Sequence, residues 1–156
     1  MSIAASVQQY LLRERIPYDV IVHAPTMDSA HSAESAHISG DRLAKSVVLE
    51  DDDGYVMAVI PASHRLDLQA VRDELHRELN LSSEHTLHEL FEDCEPGAVP
   101  PVGCAYGIDS VVDRILTDIP DVYLEGGDHR SLIHLRGQEF LKVIADSPQR
   151  HISHPL

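Results

Sequence analysis

The segment Pro96–Gly107, PGAVPPVGCAYG, combines three prolines with three glycines. Proline fixes φ and removes an N–H, whereas glycine lets the backbone approach a ligand or take positive φ. A stiff loop of this kind can direct backbone amides at an oxygen on which negative charge develops. The plainer alternative is a surface connection between two elements, because most Gly/Pro clusters only mark turns. The residues that accompany the loop therefore decide its interpretation.

Lys45 is one of only two lysines in the chain, and it begins the segment KSVVLE. The continuous apolar run after it is typical of a buried strand, and a lysine at that position is unusual. The alternative is a surface lysine whose stem packs on apolar neighbours. No G-x-S-x-G motif is present, and the pair Ser63-His64 has no evident third partner for nucleophilic catalysis.

Eleven histidines and two cysteines raise the question of a metal site. No H-E-x-x-H or C-x-x-C motif occurs, and His85 and His88 lie in a polar segment that we expect to be exposed. Cys94 and Cys104 suit neither a zinc pair nor a disulfide framework, so reduced thiols are expected. We expect no metal and no cofactor. A metal-dependent hydrolase that uses the cysteines and some histidines is the weaker alternative.

The composition of the 156 residues, 43% hydrophobic and 24% charged, predicts a single globular domain. The net charge of −14, with only twelve Lys and Arg, argues against extended contact with nucleic acid and against DNA as a partner. No apolar run has the length of a membrane span, and the first residues lack the pattern of a signal peptide. We therefore expect a cytoplasmic protein with no membrane partner.

The hydrophobic pattern predicts strands that alternate with helices, hence an α/β (α+β) fold with one mixed β-sheet surrounded by helices. The strongest local signal is Asp51-Asp52-Asp53-Gly54 between two apolar runs, which predicts a hairpin. We expect a domain over residues 1–146 and a polar tail over 147–156, with the final HISHPL disordered. Predicted helices are an N-terminal one capped by Ser2 and ending before Pro17, then 28–37, 68–79, 83–91 and 138–145; predicted strands are 18–23, 45–50, 55–61, 110–113, 121–124 and 131–135.

Four of these pieces occur in a characteristic order: LAKSVVL, the DDDG hairpin, GAVPP, and VYLEGGDHRSLIHL followed by a helix. This ordered set resembles the YbaK/prolyl-tRNA-synthetase-associated editing family over nearly the whole chain. The resemblance implies a trans-editing aminoacyl-tRNA deacylase, which hydrolyses the ester that joins a wrong, small amino acid to tRNA. The alternative is a non-catalytic module of the same fold that binds a small ligand or an acyl-tRNA end.

The resemblance also implies roles for particular residues. In that family the loop that matches Gly97–Pro101 offers backbone amides to the aminoacyl carbonyl, and the lysine that matches Lys45 is associated with activity and with binding of the 3′ end. His129 falls where some members carry a functional histidine. Ser46 stands where some alanine-specific members have asparagine, so alanine, cysteine, serine and proline all stay open as substrates. The catalytic candidates are Lys45, Gly97, Ala98, Pro101 and His129, and the substrate-binding candidates are Tyr18, Ser46, Val99, Pro100, Gly127 and Asp128.

The acidic composition limits how such a protein would contact its substrate. We expect contact with the tRNA acceptor end only, weak RNA affinity, and help from an aminoacyl-tRNA synthetase or an elongation factor. The basic side chains that could gather at the mouth of the site are Arg42, Lys45, Arg65, Arg130 and Arg136.

Overall fold

The computed structural model describes residues 3–26 and 28–156, so the cap expected at Ser2 lies outside the described residues. The observed mixture of five helices with a mixed sheet confirms the predicted fold class. The helices are α1 Ala5–Arg13, α2 Ser29–Ser35, α3 Leu68–Leu75, α4 Glu84–Leu90 and α5 Gly137–Val143, with 3₁₀ turns at Gly103–Tyr106 and Arg114–Asp118. The strands are β1 Asp19–Val22, β2 Leu43–Asp51, β3 Gly54–Pro61, β4 His64–Leu66, β5 Asn80–Leu81, β6 Asp109–Asp113, β7 Asp121–Glu125, β8 Ser131–Arg136, β9 Gln149–Arg150 and β10 Ser153–Pro155.

Eight of the strands form one sheet in the order β1-β8-β7-β2-β3-β6-β9, with β5 also paired to β2. The pairs β2–β7, β3–β6 and β6–β9 are parallel, and the other pairs are antiparallel. The hairpin expected at the DDDG sequence is present, because Asp51 pairs with Gly54 and the register continues to Ala44 opposite Pro61. No helix in the described part of the chain is long and apolar enough to cross a membrane.

The edge of β2 that faces away from β3 is only partly covered. Strand β7 pairs with Leu43 and Ala44, and β5 pairs with Leu49 and Glu50. Between these two contacts, residues 45–48 have no strand partner on that side among the described residues. A sheet that is otherwise continuous therefore has a gap at the middle of β2.

The two faces of β2 contact different parts of the core, because successive side chains of a strand point to opposite faces. Ala44 and Val48 belong to the largest apolar cluster, which includes residues of α1 and α5. Leu43 belongs to a smaller cluster with Ala33 of α2 and Leu132 of β8. Lys45 and Ser46, which lie between these positions, consequently face opposite sides of the sheet.

The disorder expected for the last six residues is wrong. Ser153–Pro155 forms β10, which pairs with β4, the strand that contains His64. Ile152 is completely buried, and the Ser153 hydroxyl donates to the buried Asp113 carboxylate at 2.6 Å. Burial of Ile152, its N–H bond to Asp113 and the pairing of β10 with β4 therefore dock a segment whose composition is otherwise polar.

Helix α3 is shorter than its apolar spacing predicted. It ends at Leu75, because His76 adopts a left-handed conformation with φ of 53°. Leu79, which the spacing had assigned to the helix, is nevertheless fully buried in a separate apolar cluster. The apolar periodicity thus identified a core residue correctly but extended the helix beyond its end.

Candidate active site

The loop Gly97–Pro101 is held from two sides by residues that are distant in sequence. On one side the Ser46 hydroxyl of β2 donates to the Val99 carbonyl at 3.0 Å. On the other side the Glu95 N–H donates to the Gly127 carbonyl at 2.7 Å, and His129 Nε2 contacts the Pro96 carbonyl. These contacts fix the loop at its start and near its middle, so its amides are held before any ligand arrives.

The backbone of the loop determines which amides are available. Gly97 has φ of 81°, in the left-handed region that favours glycine. The Ala98 N–H donates to the Glu95 carbonyl at 3.1 Å, and the Ala98 side chain is fully buried. This amide is therefore not the free oxyanion donor expected from the sequence. The Gly97 and Val99 N–H groups have no hydrogen-bond partner among residues 3–26 and 28–156.

A cavity of about 290 Å³ is lined by Gly97 and Val99. Its walls come from the loop, the gap in β2, the N-terminus of α2, and the segment that carries β5 and α4. The lining residues are Ser29, Ser46, Val47, Val48, Leu81, Ser82, Glu84, Leu87, Gly97 and Val99. The cavity is thus mainly apolar, with Ser29, Ser46, Ser82 and Glu84 as its polar lining residues, and it suits a small ligand group.

The backbone of Ser46 also faces this gap. The Arg42 carbonyl accepts from the Tyr123 N–H at 2.8 Å, and the Val48 carbonyl accepts from the Ser82 N–H at 3.0 Å. Alternate residues of a strand direct their N–H and C=O groups to the same edge. Ser46 has the same parity as Arg42 and Val48, so its backbone donor and acceptor point into the gap between β7 and β5.

Lys45 lies on the other face of β2, towards α2. Its ammonium is 3.4 Å from the Ala62 carbonyl, and burial lowers its pKa while the charge of Asp28 raises it to a lesser extent. None of the hydrogen bonds described for residues 3–26 and 28–156 joins Lys45 to the loop or to His129. The structure therefore places Lys45 beside the gap but separates its side chain from that of Ser46.

The turn that contains His129 supports the loop from behind. The Asp128 carboxylate accepts from the N–H groups of Arg130 and Ser131 at 2.9 and 2.7 Å, and from the Ser131 hydroxyl at 3.0 Å. Gly127 has φ of 113°, and His129, at 61°, is only 5% exposed. Gly127 and His129 thus contact the segment that precedes the loop, and neither the catalytic candidate His129 nor the substrate-binding candidates Gly127 and Asp128 line the cavity of about 290 Å³.

Three other candidates lie away from this cavity. Tyr18 borders a separate cavity of about 360 Å³ with Arg136, at the end of β1 that is remote from the His129 turn. Pro101 is buried and borders another cavity, of about 790 Å³, whose lining includes neither Lys45 nor Ser46. Pro100 is buried, and its carbonyl accepts from the Val102 N–H at 2.8 Å. The cavity of about 790 Å³ therefore contains one candidate, Pro101, whereas Ser46, Gly97 and Val99 line the cavity of about 290 Å³.

Neither cysteine is suited to act as a nucleophile. Both are free thiols. Burial raises the pKa of Cys94 to about 12 and also raises the pKa of Cys104, so neither thiol ionises readily at neutral pH. In the part of the chain that the structure describes, no three His, Cys, Asp or Glu side chains come together as metal ligands.

The sequence analysis missed two polar residues near the loop. Glu125 ends β7 and is 1% exposed, and His23 follows β1 and is 8% exposed. Burial raises the pKa of Glu125, and Ser32, His23, Ser29 and His129 lower it to lesser extents. The sequence pattern that could have identified Glu125 is a glutamate that follows three strand-forming residues in the segment VYLE.

Residues 23–143 match the family model of the aminoacyl-tRNA editing domain. Among solved structures, hypothetical protein APE2540 superposes with a TM-score of 0.83 at 24% identity, covering 96% of this chain and 99% of that one. A proposed trans-editing enzyme for prolyl tRNA synthetase gives 0.81 at 22% identity, covering 98% and 99%. A proposed signal transduction protein from Marinobacter aquaeolei VT8 gives 0.75 at 23% identity, covering 95% of this chain but 30% of that one. These likenesses show the shared fold, and no curated protein matches significantly.

Proposed function

Because the chain belongs to the aminoacyl-tRNA editing domain family, we propose that it is a trans-editing deacylase that hydrolyses the ester between a small, wrongly attached amino acid and tRNA. The observation that carries the proposal is that Gly97 and Val99, whose N–H groups have no partner among the described residues, both line the cavity of about 290 Å³. An aminoacyl ester is already activated. Its hydrolysis needs a positioned water and donors at the developing oxyanion more than it needs a nucleophile.

In this mechanism the ester carbonyl oxygen accepts hydrogen bonds from the Gly97 and Val99 N–H groups as negative charge develops on it. The hydrogen bond between Ser46 and Val99 and the backbone contact between Glu95 and Gly127 hold those donors in place, so little reorganisation is needed. Loss of a single oxyanion donor typically costs about 10²- to 10³-fold in rate. The 2′-hydroxyl of the terminal ribose would orient the attacking water, which then delivers its proton as the ester oxygen leaves.

The cavity favours a small amino acid. Leu81, Leu87 and Val48 give it apolar walls, and Ser46 contributes a hydroxyl that is already bonded to the loop. A volume of about 290 Å³ must hold the aminoacyl group together with part of the ribose. Discrimination among small side chains by one methylene is worth only about 1–3 kcal/mol, so several small amino acids could be accepted.

Lys45 is proposed to bind the 3′-terminal nucleotide from the other face of β2. Among residues 3–26 and 28–156, this partly buried ammonium hydrogen-bonds only to the Ala62 carbonyl, at 3.4 Å, so it can form a stronger contact with a phosphate. With a net charge of −14, the protein would contact only the acceptor end of tRNA, and a synthetase or elongation factor would supply further affinity.

The decisive experiment is a deacylation screen over tRNAs charged with alanine, cysteine, serine and proline, with correctly charged tRNAs as controls. We expect turnover of at least one mischarged species and none of the correct ones. Absence of turnover with every substrate, together with measurable binding of an acceptor-stem mimic, would favour the non-catalytic binding module. Much tighter binding of full-length tRNA than of the mimic would contradict contact limited to the acceptor end.

A further inference from the structure

Among residues 3–26 and 28–156, Glu84 is the only charged side chain that lines the cavity of about 290 Å³. The other lining residues are apolar, are glycine or carry neutral hydroxyl groups. In a small cavity of this kind, the few polar groups fix the orientation of the ligand and give the site its specificity. A single carboxylate in such a lining indicates a ligand with one cationic group.

The Glu84 carboxylate is available to a ligand. Glu84 begins α4 and is exposed, so it lies where the cavity opens to solvent. In the described part of the chain, no hydrogen bond or ion pair involves its carboxylate. On the same helix, Glu89 instead pairs with His85 at 3.0 Å. A cation can therefore bind to Glu84 without breaking a contact within the protein.

Helix α4 lies against the loop that carries the proposed oxyanion donors. Glu84, Leu87, Gly97 and Val99 line the cavity of about 290 Å³ and also border a second, smaller cavity of about 20 Å³. The carboxylate of Glu95 belongs to a residue that lines only the smaller cavity. Glu84 is therefore the acidic residue that shares the larger cavity with the free amides.

The hydroxyl groups of the cavity are weaker candidates for a cation. The Ser46 hydroxyl already donates to the loop at 3.0 Å. The Ser82 hydroxyl oxygen is buried, so a ligand cannot reach it without a movement of the wall. The Ser29 hydroxyl bonds to the carboxyl group of Glu125. The carboxylate at the opening is thus the strong acceptor that stays accessible.

An aminoacyl ester carries its cation close to the reacting carbonyl group. The α-ammonium is attached to the carbon atom next to the carbonyl carbon, so it enters the cavity together with the ester. An ammonium has three donors and no acceptor, whereas an ionised carboxylate only accepts. Hydrogen bonds between such groups are among the strongest in proteins. When the carbonyl oxygen lies at the Gly97 and Val99 N–H groups, Glu84 supplies the matching charge for the ammonium.

We propose that Glu84 binds the α-ammonium group of the aminoacyl ester and thereby selects esters whose amino group is free and charged. The pairing also matters for the reaction, because an unpaired carboxylate would repel the negative charge that develops on the ester oxygen. Esters without the ammonium should consequently lose both affinity and rate. The identity of the cation rests on the proposed function, and no covalent bond to Glu84 is formed.

A pair of probes that resist hydrolysis tests the binding without any turnover. 3′-Amino-3′-deoxyadenosine is acylated with L-alanine or with L-lactic acid, so the two amides differ only in an ammonium or a hydroxyl group. NMR titration of the wild-type protein should show the alanyl probe binding about 5- to 20-fold more tightly, since Glu84 is exposed and water weakens the pair. Equal affinities, or no binding of either probe, would overturn the proposal.

Glu84→Gln removes the charge with little change of shape. In this variant the alanyl probe should bind no more tightly than the lactyl probe, and the affinity for the lactyl probe should be unchanged. The matched control is Glu89→Gln, which alters an exposed glutamate of the same helix that does not line the cavity. The control should keep the full preference for the alanyl probe. A preference that persists in Glu84→Gln would show that another group binds the ammonium.

Deacylation kinetics separate this proposal from the proposed function. The mischarged tRNA that the screen identifies is compared with a counterpart in which oxygen replaces the amino nitrogen. The wild type should hydrolyse the counterpart with a kcat/KM lower by about 10-fold or more, and Glu84→Gln should treat the two esters nearly alike. Equal turnover of both esters by the wild type would overturn the role of Glu84. Absence of turnover with every ester would instead refute the proposed function and leave the result with the probes standing.

Discussion

The Ser46 hydroxyl on β2 donates a hydrogen bond to the Val99 carbonyl, 53 residues later in the chain, at 3.0 Å. This bond joins the gap in the sheet to the Gly/Pro loop, and both residues line the same cavity. The relationship gives Ser46 a role that does not depend on direct recognition of the amino acid. It holds the loop that would stabilise the oxyanion.

Ser46→Ala should therefore reduce catalysis more than binding. A neutral hydrogen bond contributes about 0.5–1.5 kcal/mol, so we expect kcat to fall roughly 2- to 10-fold with KM nearly unchanged. Steady-state deacylation kinetics would measure this, and Ser46→Thr, which keeps a hydroxyl, should recover part of the loss. A rise in KM alone would indicate that Ser46 binds substrate and does not position the loop.

Gly97→Ala should damage both stability and activity, because Gly97 has φ of 81°. A side chain in the left-handed region costs about 1–2 kcal/mol. Gly107→Ala is the matched control, since Gly107 has φ of 67° and its added Cβ would meet no atom within 4 Å. Urea unfolding should show similar losses in the two variants, whereas only Gly97→Ala should lose deacylation. If both variants keep the same deacylation activity, Gly97 does not belong to the active site.

Lys45→Met should weaken substrate binding without loss of stability. Burial lowers the pKa of Lys45, so the folded protein disfavours its charge, and an apolar side chain of similar length relieves that cost. A charge-assisted hydrogen bond contributes about 1.5–3 kcal/mol, so we expect KM to rise roughly 10- to 100-fold. Lys142→Met, which removes an ion pair on α5, should leave KM unchanged. A stable Lys45→Met with normal KM would contradict phosphate binding by Lys45.

The stability of the protein should depend on the ionisation of Glu125. Its ordinary pKa is 4.5, and burial raises this value in the folded state. Between about pH 4.5 and the raised pKa of the folded state, Glu125 is protonated more in the folded protein than in the unfolded chain. Because the unfolded state binds fewer protons there, the free energy of unfolding decreases as the pH rises across that range. Urea titrations at several pH values should show this fall in the wild type but not in Glu125→Gln. If the free energy of unfolding varies with pH in the same way in the wild type and in Glu125→Gln, the ionisation of Glu125 does not affect stability.

Ile152→Ala should show that the C-terminal segment belongs to the core. Ile152 is completely buried, and truncation of a buried isoleucine to alanine costs about 2–5 kcal/mol. The control is Leu156→Ala, because Leu156 is 79% exposed. We expect the control to change the free energy of unfolding by no more than about 0.5 kcal/mol. Similar small effects of both substitutions would support a tail that is not docked.

The amino-acid sequence by itself determined the fold class of this protein and its longer helices and strands. Alternating apolar runs, the hairpin at Asp51–Gly54 and the stiffness of the Pro96–Gly107 loop follow from local backbone preferences, which act between neighbours in the chain. The same local information could indicate that the loop holds its amides rigidly. It could not indicate which amides are free.

Only the tertiary structure decided how the site is assembled. The register between β2 and its neighbours leaves the gap that Ser46 faces, and contacts over tens of residues place Gly127 and His129 behind the loop. The same packing pairs the Ala98 N–H with the Glu95 carbonyl and places Tyr18 beside a different cavity. Such partners depend on the relative placement of whole strands, and no local preference of the chain encodes that placement.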